Sequence, residues 1–484
     1  MYFLGVDIGT TGAKALLTNE TGAVLGKGHE TYRLISKGSH VEQNADDWIK
    51  GSITAIRQAM QNIDSSSVAA ISLSAQGAST VAVDSQNRPL GNALTWMDMR
   101  ASAEANELAE ALGEDYIYTS TGWRINAALD AAKIMHIKRQ KAYSGAVRFL
   151  STLEYMNNFL TNNPVGDPST ASIRQLYSVR EHKYDNAILD AAGILSEELP
   201  KIIPTGVLLG GLTGFAARET GLQVNTPVYN GAHDQYCASV GAGAIKKGDM
   251  LLSAGTTWVV MGIDDKPLFT DTYIAPGVHP ISGLYGAMAS LVGSGASMQW
   301  FKDNFLKESF EEINLQAAQR GNRTKELFFY PYLAGANYPI WKAEARGVFA
   351  GISLEHDSFD FARAIMEGAA FGVRRTLDDF AANGCKIKSL RMMGGAAKSE
   401  FWRSLIAACA NVQVDVLKQS EACALGAAII AAVGAGAYKS YYDAVKGMVV
   451  LSHSEQPEPK LTAELNEKYM RYLRMWDGIM QYYQ

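Results

Sequence analysis

Phe3-Leu4-Gly5-Val6-Asp7-Ile8-Gly9-Thr10-Thr11-Gly12-Ala13-Lys14 reads as a strand, a tight turn and the start of a second strand. Tyr2 to Ile8 is apolar enough to be buried, Gly9 and Gly12 bracket two threonines, and Lys14 to Leu17 resumes the strand before the turn signal Asn19-Glu-Thr-Gly22. A phosphate approaches a backbone closely only where no Cβ intervenes, and threonine hydroxyls and turn N–H groups donate to anions. Asp7 would repel a bare phosphate, so it is a candidate ligand, directly or through water, for a Mg²⁺ lying between the two. A strand–turn–strand cradle differs from the strand-to-helix turns of P-loops and Rossmann domains. Taken alone, the stretch also suits an ordinary hairpin.

A second copy separates these readings. Met250-Leu-Leu-Ser253-Ala-Gly255-Thr256-Thr257-Trp-Val-Val-Met261 repeats the order of apolar strand, Gly-Thr-Thr turn and apolar strand about half a chain further on. Such spacing predicts a duplicated domain with two phosphate turns facing one cleft. Ser253 stands where the first copy has Asp7, so only the first turn supplies a carboxylate for a metal.

The chain length of 484 residues exceeds one ordinary core and predicts two large domains. With 47% hydrophobic and 19% charged residues the composition is globular, and a net charge of −5 without a Lys/Arg-rich run favours neither nucleic acid nor an anionic membrane. The four cysteines show no metal-ligand spacing or disulfide framework, as in a reducing compartment. The opening residues lack the basic-then-apolar pattern of a signal peptide, and the uncharged run Ala422 to Tyr438 is short and Ala/Gly-rich, which predicts a packed interior helix. The expected location is cytoplasmic.

Further along, Val41-Glu-Gln-Asn44-Ala-Asp46 carries a helix-start signal and Trp48, Ile49, Ile53 and Ile56 continue it at helical spacing. Pro227-Val-Tyr-Asn230-Gly231-Ala232-His233-Asp234-Gln235 predicts a strand that presents a carboxylate at the start of a small-residue helix. That helix has a counterpart in Ala422-Cys-Ala-Leu-Gly426-Ala-Ala-Ile429, and two such helices crossing between lobes would form a hinge. Leu390-Arg-Met-Met-Gly394-Gly395-Ala396 ends a strand in glycines before a helix holding Trp402.

With these motifs in this order, the chain resembles the FGGY carbohydrate kinases essentially end to end, within the wider fold of actin, the heat-shock ATPases and hexokinase. The resemblance implies an α/β fold of two ribonuclease-H-like domains with a cleft between them. Residues 1–244 would bind the sugar and supply the catalytic base, and residues 245–484 would bind ATP.

Residue by residue, the resemblance makes Asp234 the base and Gln235 its substrate-contacting neighbour. A sugar hydroxyl is a poor nucleophile, and a carboxylate accepting its proton is the expected device; Asp is also favoured as a helix cap. The sugar pocket would be lined by Gln76, Gly77, Ala78, Trp96, Asp98 and Arg100. Trp96 offers an apolar face to a carbon chain, while Asp98 and Arg100 either bond hydroxyls or form a local ion pair closing the loop. Nucleotide contacts map onto Thr10, Thr11, Lys14, Gly255, Thr256, Thr257, Gly295, Gln299, Gly394, Gly395 and Ser399, with Mg²⁺ near Asp7. A side chain at the second glycine of the Gly394-Gly395 turn would block the nucleoside. Asp167 is a further candidate for the cleft, Lys133 is read as a solvated lysine, His233 as a packed histidine, and the last helix, from about Glu464, as packing back on the first domain.

The pocket also departs from the family. Kinases of D-xylulose usually carry Met-His after the glutamine and glycerol kinases Arg-Glu, where this chain has Gly77-Ala78. Ser74-Ala-Gln-Gly77 is closer to L-xylulokinases. The implied activity is ATP-dependent phosphorylation of a primary hydroxyl on a small sugar, a ketopentose such as xylulose first, with gluconate or another polyol as alternatives and a homodimer as the default assembly. A non-catalytic actin-like nucleotide switch shares the phosphate turns but has no need of the base or the pocket wall.

Overall fold

The computed structural model describes residues 1–321 and 323–483. The first half is built on a six-stranded mixed sheet. Its strands are β1 (Tyr2–Ile8), β2 (Gly12–Asn19), β3 (Val24–Thr31), β4 (Val68–Ala75), β5 (Leu208–Gly211) and β6 (Pro227–His233), in the order β5-β6-β4-β1-β2-β3. β1 and β2 form an antiparallel hairpin in which Asp7 stands opposite Lys14, while β1 also runs parallel to β4, with Asp7 beside Ser74.

β1 is buried on both faces, which is why it reads as a continuous apolar run rather than an alternation. Leu4 and Val6 face α1 (Ala45–Ala59), capped by the Asn44 side chain, through Trp48, Ala55 and Ile56. Phe3 faces the other way, toward a helix of the second half, where Gly5 permits a close approach: a Cβ there would lie 1.9 Å from the carbonyl oxygen of Ala424.

The second half repeats the plan in a seven-stranded sheet. Its strands are β7 (Asp249–Ala254), β8 (Trp258–Asp264), β9 (Ala275–Val278), β10 (Tyr285–Leu291), β11 (Ser389–Met393), β12 (Val414–Leu417) and β13 (Leu451–Glu455), ordered β9-β10-β8-β7-β11-β12-β13. β7 and β8 form the hairpin, and β11 runs parallel to β7 as β4 does to β1. The expected α/β fold of two halves is observed.

Two small-residue helices join the halves. α2 (Asp234–Ala242) follows the first sheet in sequence, yet Ala238 and Ala242 pack with Leu251, Met261 and Ile263 of the second. α6 (Ala422–Gly434) belongs to the second half, yet Ala424 and Ala428 pack with Phe3 and Leu16 of the first. They cross backbone to backbone, since a Cβ on Gly241 would meet the Ala422 carbonyl at 2.0 Å and one on Gly426 the Cys237 carbonyl at 1.9 Å. Only residues without side chains allow such an approach.

The second core is closed by α3 (Ser294–Phe305), α4 (Ser358–Ala382), α5 (Glu400–Ala410) and α7 (Pro459–Gln481). Here one expectation is corrected. α7 does not return to the first domain: Leu465, Tyr469 and Tyr472 join the second core, and the Tyr472 ring stacks on Tyr330 at 4.4 Å. The apolar stripe of α7 finds a matching aromatic surface within its own half. Among the described residues no helix is long and apolar enough to cross a membrane.

Candidate active site

The first Gly-Thr-Thr turn is braced from its carbonyl side. Tyr32 Oη donates to the Gly9 oxygen at 2.5 Å, Gln43 Nε2 to the Thr10 oxygen at 2.5 Å and the Tyr32 N–H to the Thr11 oxygen at 3.1 Å, while Trp96 Nε1 donates to Thr10 Oγ1 at 2.9 Å. With the carbonyls engaged, the N–H groups of Thr10 and Thr11 donate to nothing else in the protein among the described residues. Unpartnered N–H groups in a turn suit an anion.

Asp7 lies at the end of β1, where Ser74 Oγ donates to its Oδ1 at 2.7 Å. Burial, and then the charge of Asp234, push its carboxyl up to about 7. Asp234, at the first position of α2, is pushed up to about 6 by burial, against donation from Gln235. Two carboxylates, one at the end of β1 and one at the start of α2, thus lie near enough for their charges to interact, an arrangement that favours a bound cation beside one and a proton-accepting role for the other.

The second turn is shaped by glycines. A Cβ on Gly295, at the start of α3, would lie 1.9 Å from the Gly255 oxygen, and one on Gly394 would lie 2.5 Å from the Ala254 oxygen. Gly255, Gly295 and Gly394 therefore stand together, and Thr256 and Thr257 again have no internal acceptor for their N–H groups among the described residues. Gly394 also shares the lining of one cavity with Lys398, Gln419 and Ser420. The next residue, Glu421, reaches the first half, where Lys14 Nζ donates to its Oε2 at 2.6 Å. Burial opposes the charge on Lys14, but the bond to Glu421 more than offsets this and raises its pKa.

Several expected contacts are engaged elsewhere. Asp98 is buried and forms the loop-closing ion pair, accepting from Arg100 Nη2 at 2.7 Å and from the Val41 N–H at 2.7 Å, while the same Nη2 also donates to Glu42 Oε1 at 2.6 Å. Gln299 is exposed and donates to Asp303 on its own helix at 2.8 Å. Ser399 caps α5. Asp167 is buried and engaged as a helix cap, accepting from the N–H groups of Ser169 and Thr170 and from Thr205 Oγ1 at 2.9 Å. Lys133 is not solvated: it is fully buried and donates to the carbonyls of Ala78, Leu94 and Thr95, at 2.5, 3.2 and 3.2 Å. Three backbone acceptors replace water around the ammonium, and one of them, Ala78, belongs to the segment expected to floor the sugar pocket.

The three residues of that segment, Gln76, Gly77 and Ala78, are all buried, with Ala78 in the left-handed region at φ 47°. Gln76 Nε2 donates to Gln43 Oε1 at 2.7 Å, but Gln76 Oε1 and Gln235 Oε1 are buried without a partner. Trp96 stands 40% exposed beside the first turn. Sequence reasoning missed Tyr32, Gln43 and Glu421. The only signal for Glu421 was its place as the last charge before a long uncharged run.

Residues 2–241 match the N-terminal domain of the FGGY family of carbohydrate kinases and residues 250–435 its C-terminal domain. The chain belongs to the FGGY family of carbohydrate kinases. The kinase is 29% identical over 483 residues to a xylulose kinase of Staphylococcus epidermidis, covering 98% of this chain and 96% of that one. It is equally 29% identical over 474 residues to a gluconokinase of Bacillus subtilis, covering 94% and 92%. Its fold matches the ligand-bound xylulose kinase of Lactobacillus acidophilus with a TM-score of 0.92 at 25% identity, covering 100% and 99% of the two chains. As a member of this family it is a sugar kinase that uses ATP, and both turns lie within the matched domains.

Proposed function

We propose that this kinase phosphorylates a primary hydroxyl of a small neutral sugar, a ketopentose such as xylulose, with Asp234 as the general base. The carrying observation is the pairing of a carboxylate poised near neutrality with buried, unpartnered acceptors, Gln76 Oε1 and Gln235 Oε1, around the same floor. Such acceptors ask for donors, and a polyol supplies them as hydroxyls. The cations around the floor are committed, Arg100 to Asp98 and Glu42 and Lys133 to three carbonyls. This arrangement favours a ketose over a sugar acid, whose carboxylate needs a free cation.

In this reading the hydroxyl proton passes to Asp234 as the new O–P bond forms and the bond to the β-phosphate oxygen breaks, releasing ADP. Thr10, Thr11, Thr256 and Thr257 hold phosphate oxygens with their N–H groups, and Lys14 adds charge beside them. Closure about the α2/α6 crossing would exclude water, without which hydrolysis competes with transfer. Asp7 fits Mg²⁺, because a nearby cation relieves its burial and its repulsion from Asp234. Asp7 would hold the ion, whose positive charge would offset the negative charge developing on the phosphate oxygens.

A coupled ADP-release assay with Mg-ATP against D- and L-ketopentoses, ketohexoses, polyols and gluconate tests the substrate. One ketopentose should exceed gluconate in kcat/KM by at least about tenfold, a gap of about 1.4 kcal/mol in transition-state binding. A preference for gluconate would overturn the sugar, and ADP release that no sugar stimulates would overturn the transfer reading. Asp234→Asn should lower kcat by about 10²- to 10⁴-fold with KM for ATP little changed; near-full activity would remove Asp234 as base.

A further inference from the structure

The helix Asp130–Lys138 carries Lys133, a fully buried lysine that the proposed reaction leaves unused. A carboxylate lies close to it, yet Asp130 Oδ1 stands 3.9 Å from Nζ, beyond hydrogen-bond reach, and is buried without a partner. Asp130 is held instead by Arg174, whose Nε donates to its Oδ2 at 2.6 Å. Neutralising Asp130 is therefore not what fixes the lysine. Its three N–H groups match three carbonyls, those of Ala78, Leu94 and Thr95. Burial lowers its pKa, against Asp130 and Asp98, only to about 8, so the ammonium keeps its three donors at neutral pH.

The three carbonyls depend on it unequally. The Leu94 oxygen also accepts from the Thr80 N–H at 2.9 Å, and the Thr95 oxygen from the Asp98 N–H at 3.0 Å. The Ala78 oxygen has no other donor among the described residues. Ala78 is also the residue held in the left-handed region, a conformation that a residue with a Cβ keeps only where its surroundings impose it. At the other end of the segment the Gln76 N–H donates to the Ile8 oxygen at 2.8 Å, beside the first turn. Gln76-Gly77-Ala78 is thus strung between the end of β1 and the ammonium.

The second segment on the knot, Leu94-Thr95, leads directly into Trp96. A backbone pair between Thr80 and Leu94 aligns the two segments, and the ammonium sits beside that pair, fixing the turn that precedes it. All of these partners lie in the first half, away from the turns at Gly255, Gly295 and Gly394.

We propose that Lys133 is a positioning residue for the sugar: its ammonium holds the Ala78 turn and ties it to the segment entering Trp96, so that Gln76 Oε1 and the indole face keep the spacing the sugar meets. This inference rests on the reading of Gln76 and Trp96 as sugar contacts. Loss of the knot should therefore weaken sugar binding and spare ATP binding.

Lys133→Met keeps a long side chain without N–H groups and leaves the Asp130–Arg174 pair in place. In the coupled ADP-release assay, varying D-xylulose, and then the best sugar of the panel if that is another, KM for the sugar should rise about tenfold or more, the scale of losing a hydrogen bond to a charged group. KM for ATP should stay within about twofold. Adding Ala78→Gly, which permits the left-handed backbone without support, should bring KM for the sugar back toward its original value. A lysine with a merely structural role would lower Tm and show neither the split nor the recovery. If the Met variant does not fold, Lys133→Gln, which keeps donors but no charge, decides the matter, with a rise of at least about threefold in KM for the sugar alone. Unchanged KM for the sugar in a folded variant, a parallel rise in KM for ATP, or no recovery on adding Ala78→Gly each overturns the proposal. Gln76→Leu separates this failure from that of the pocket reading. If it too leaves KM for the sugar unchanged, the pocket reading fails first; if it raises KM where the Lys133 variants do not, only the positioning role falls.

Discussion

Side chains hold the first Gly-Thr-Thr turn, where Tyr32, Gln43 and Trp96 each bond it and Ser74 steadies the Asp7 carboxylate. The second turn is instead enclosed by the backbones of Gly295 and Gly394. Register makes the contrast sharper. Asp7 stands between Lys14 and Ser74 on its neighbouring strands, whereas Ser253, its counterpart, stands between Val259 and Met393. A duplicated frame has therefore diverged in its polar dressing: one turn is braced by side chains beside a carboxylate and a lysine, and the other is a bare slot walled by backbone, which in the proposed reading suit the metal-bound reacting phosphate and the nucleotide respectively.

The largest break in this comparison is Asp7→Asn. It should lower kcat/KM by about 10²- to 10³-fold, the range for losing one preorganised charge-stabilising group, and raise the Mg²⁺ needed for half-saturation. Adding Ser253→Asp should not restore activity, because a carboxylate there has neither a hydroxyl donor nor a cation opposite. Restoration would show the turns to be interchangeable. The same variant carries a stability prediction of opposite sign. An acid whose pKa is raised from 3.8 to about 7 on folding holds more protons in the folded state across that window, so stability falls as pH rises through it. Without Mg²⁺ at pH 8, Asp7→Asn should therefore have a higher Tm than the unaltered protein.

The slot itself is tested at two glycines of different kinds. Gly295→Ala places a methyl 1.9 Å from the Gly255 oxygen, so it disturbs the protein before any ligand arrives. Gly395 has φ −62° and open space around its missing Cβ. Gly395→Ala should stabilise the free protein by about 0.4–1 kcal/mol through the unfolded chain, and yet raise KM for ATP by about tenfold if the nucleoside lies over it. A higher Tm with unchanged KM for ATP would move the nucleoside away from this turn.

What the sequence discloses here is set by how local the cause is. The repeated turn, the crossing helices and Asp234 at a helix start were legible because glycine, threonine and a strand-to-helix boundary act within a few residues. Lys133 was misread because its three acceptors, Ala78, Leu94 and Thr95, are brought to it only by the fold. α7 was misplaced for the same reason: an amphipathic stripe announces that it is buried, and Tyr330 and Phe371, far away in sequence, decide against what. Gly77 was visible as a departure from relatives, but its cause, the packing of Ile173 and His233, was not.

The smallest expected effect concerns Trp96, which braces the first turn and in the proposed reading also walls the sugar. Its indole Nε1 donates to Thr10 Oγ1 at 2.9 Å while much of the ring remains exposed. Trp96→Phe removes the donor and keeps an apolar face, and the bond lost is neutral and near solvent, worth about 0.5–1.5 kcal/mol. If bracing is its contribution, kcat should fall by only about two- to tenfold, with KM for the sugar unchanged. Trp96→Ala, which also removes the face, should add a rise in KM for the sugar. Should Trp96→Phe instead raise KM for the sugar and leave kcat intact, the indole N–H would belong to substrate binding, and the first turn would have one brace fewer than the comparison assigns it.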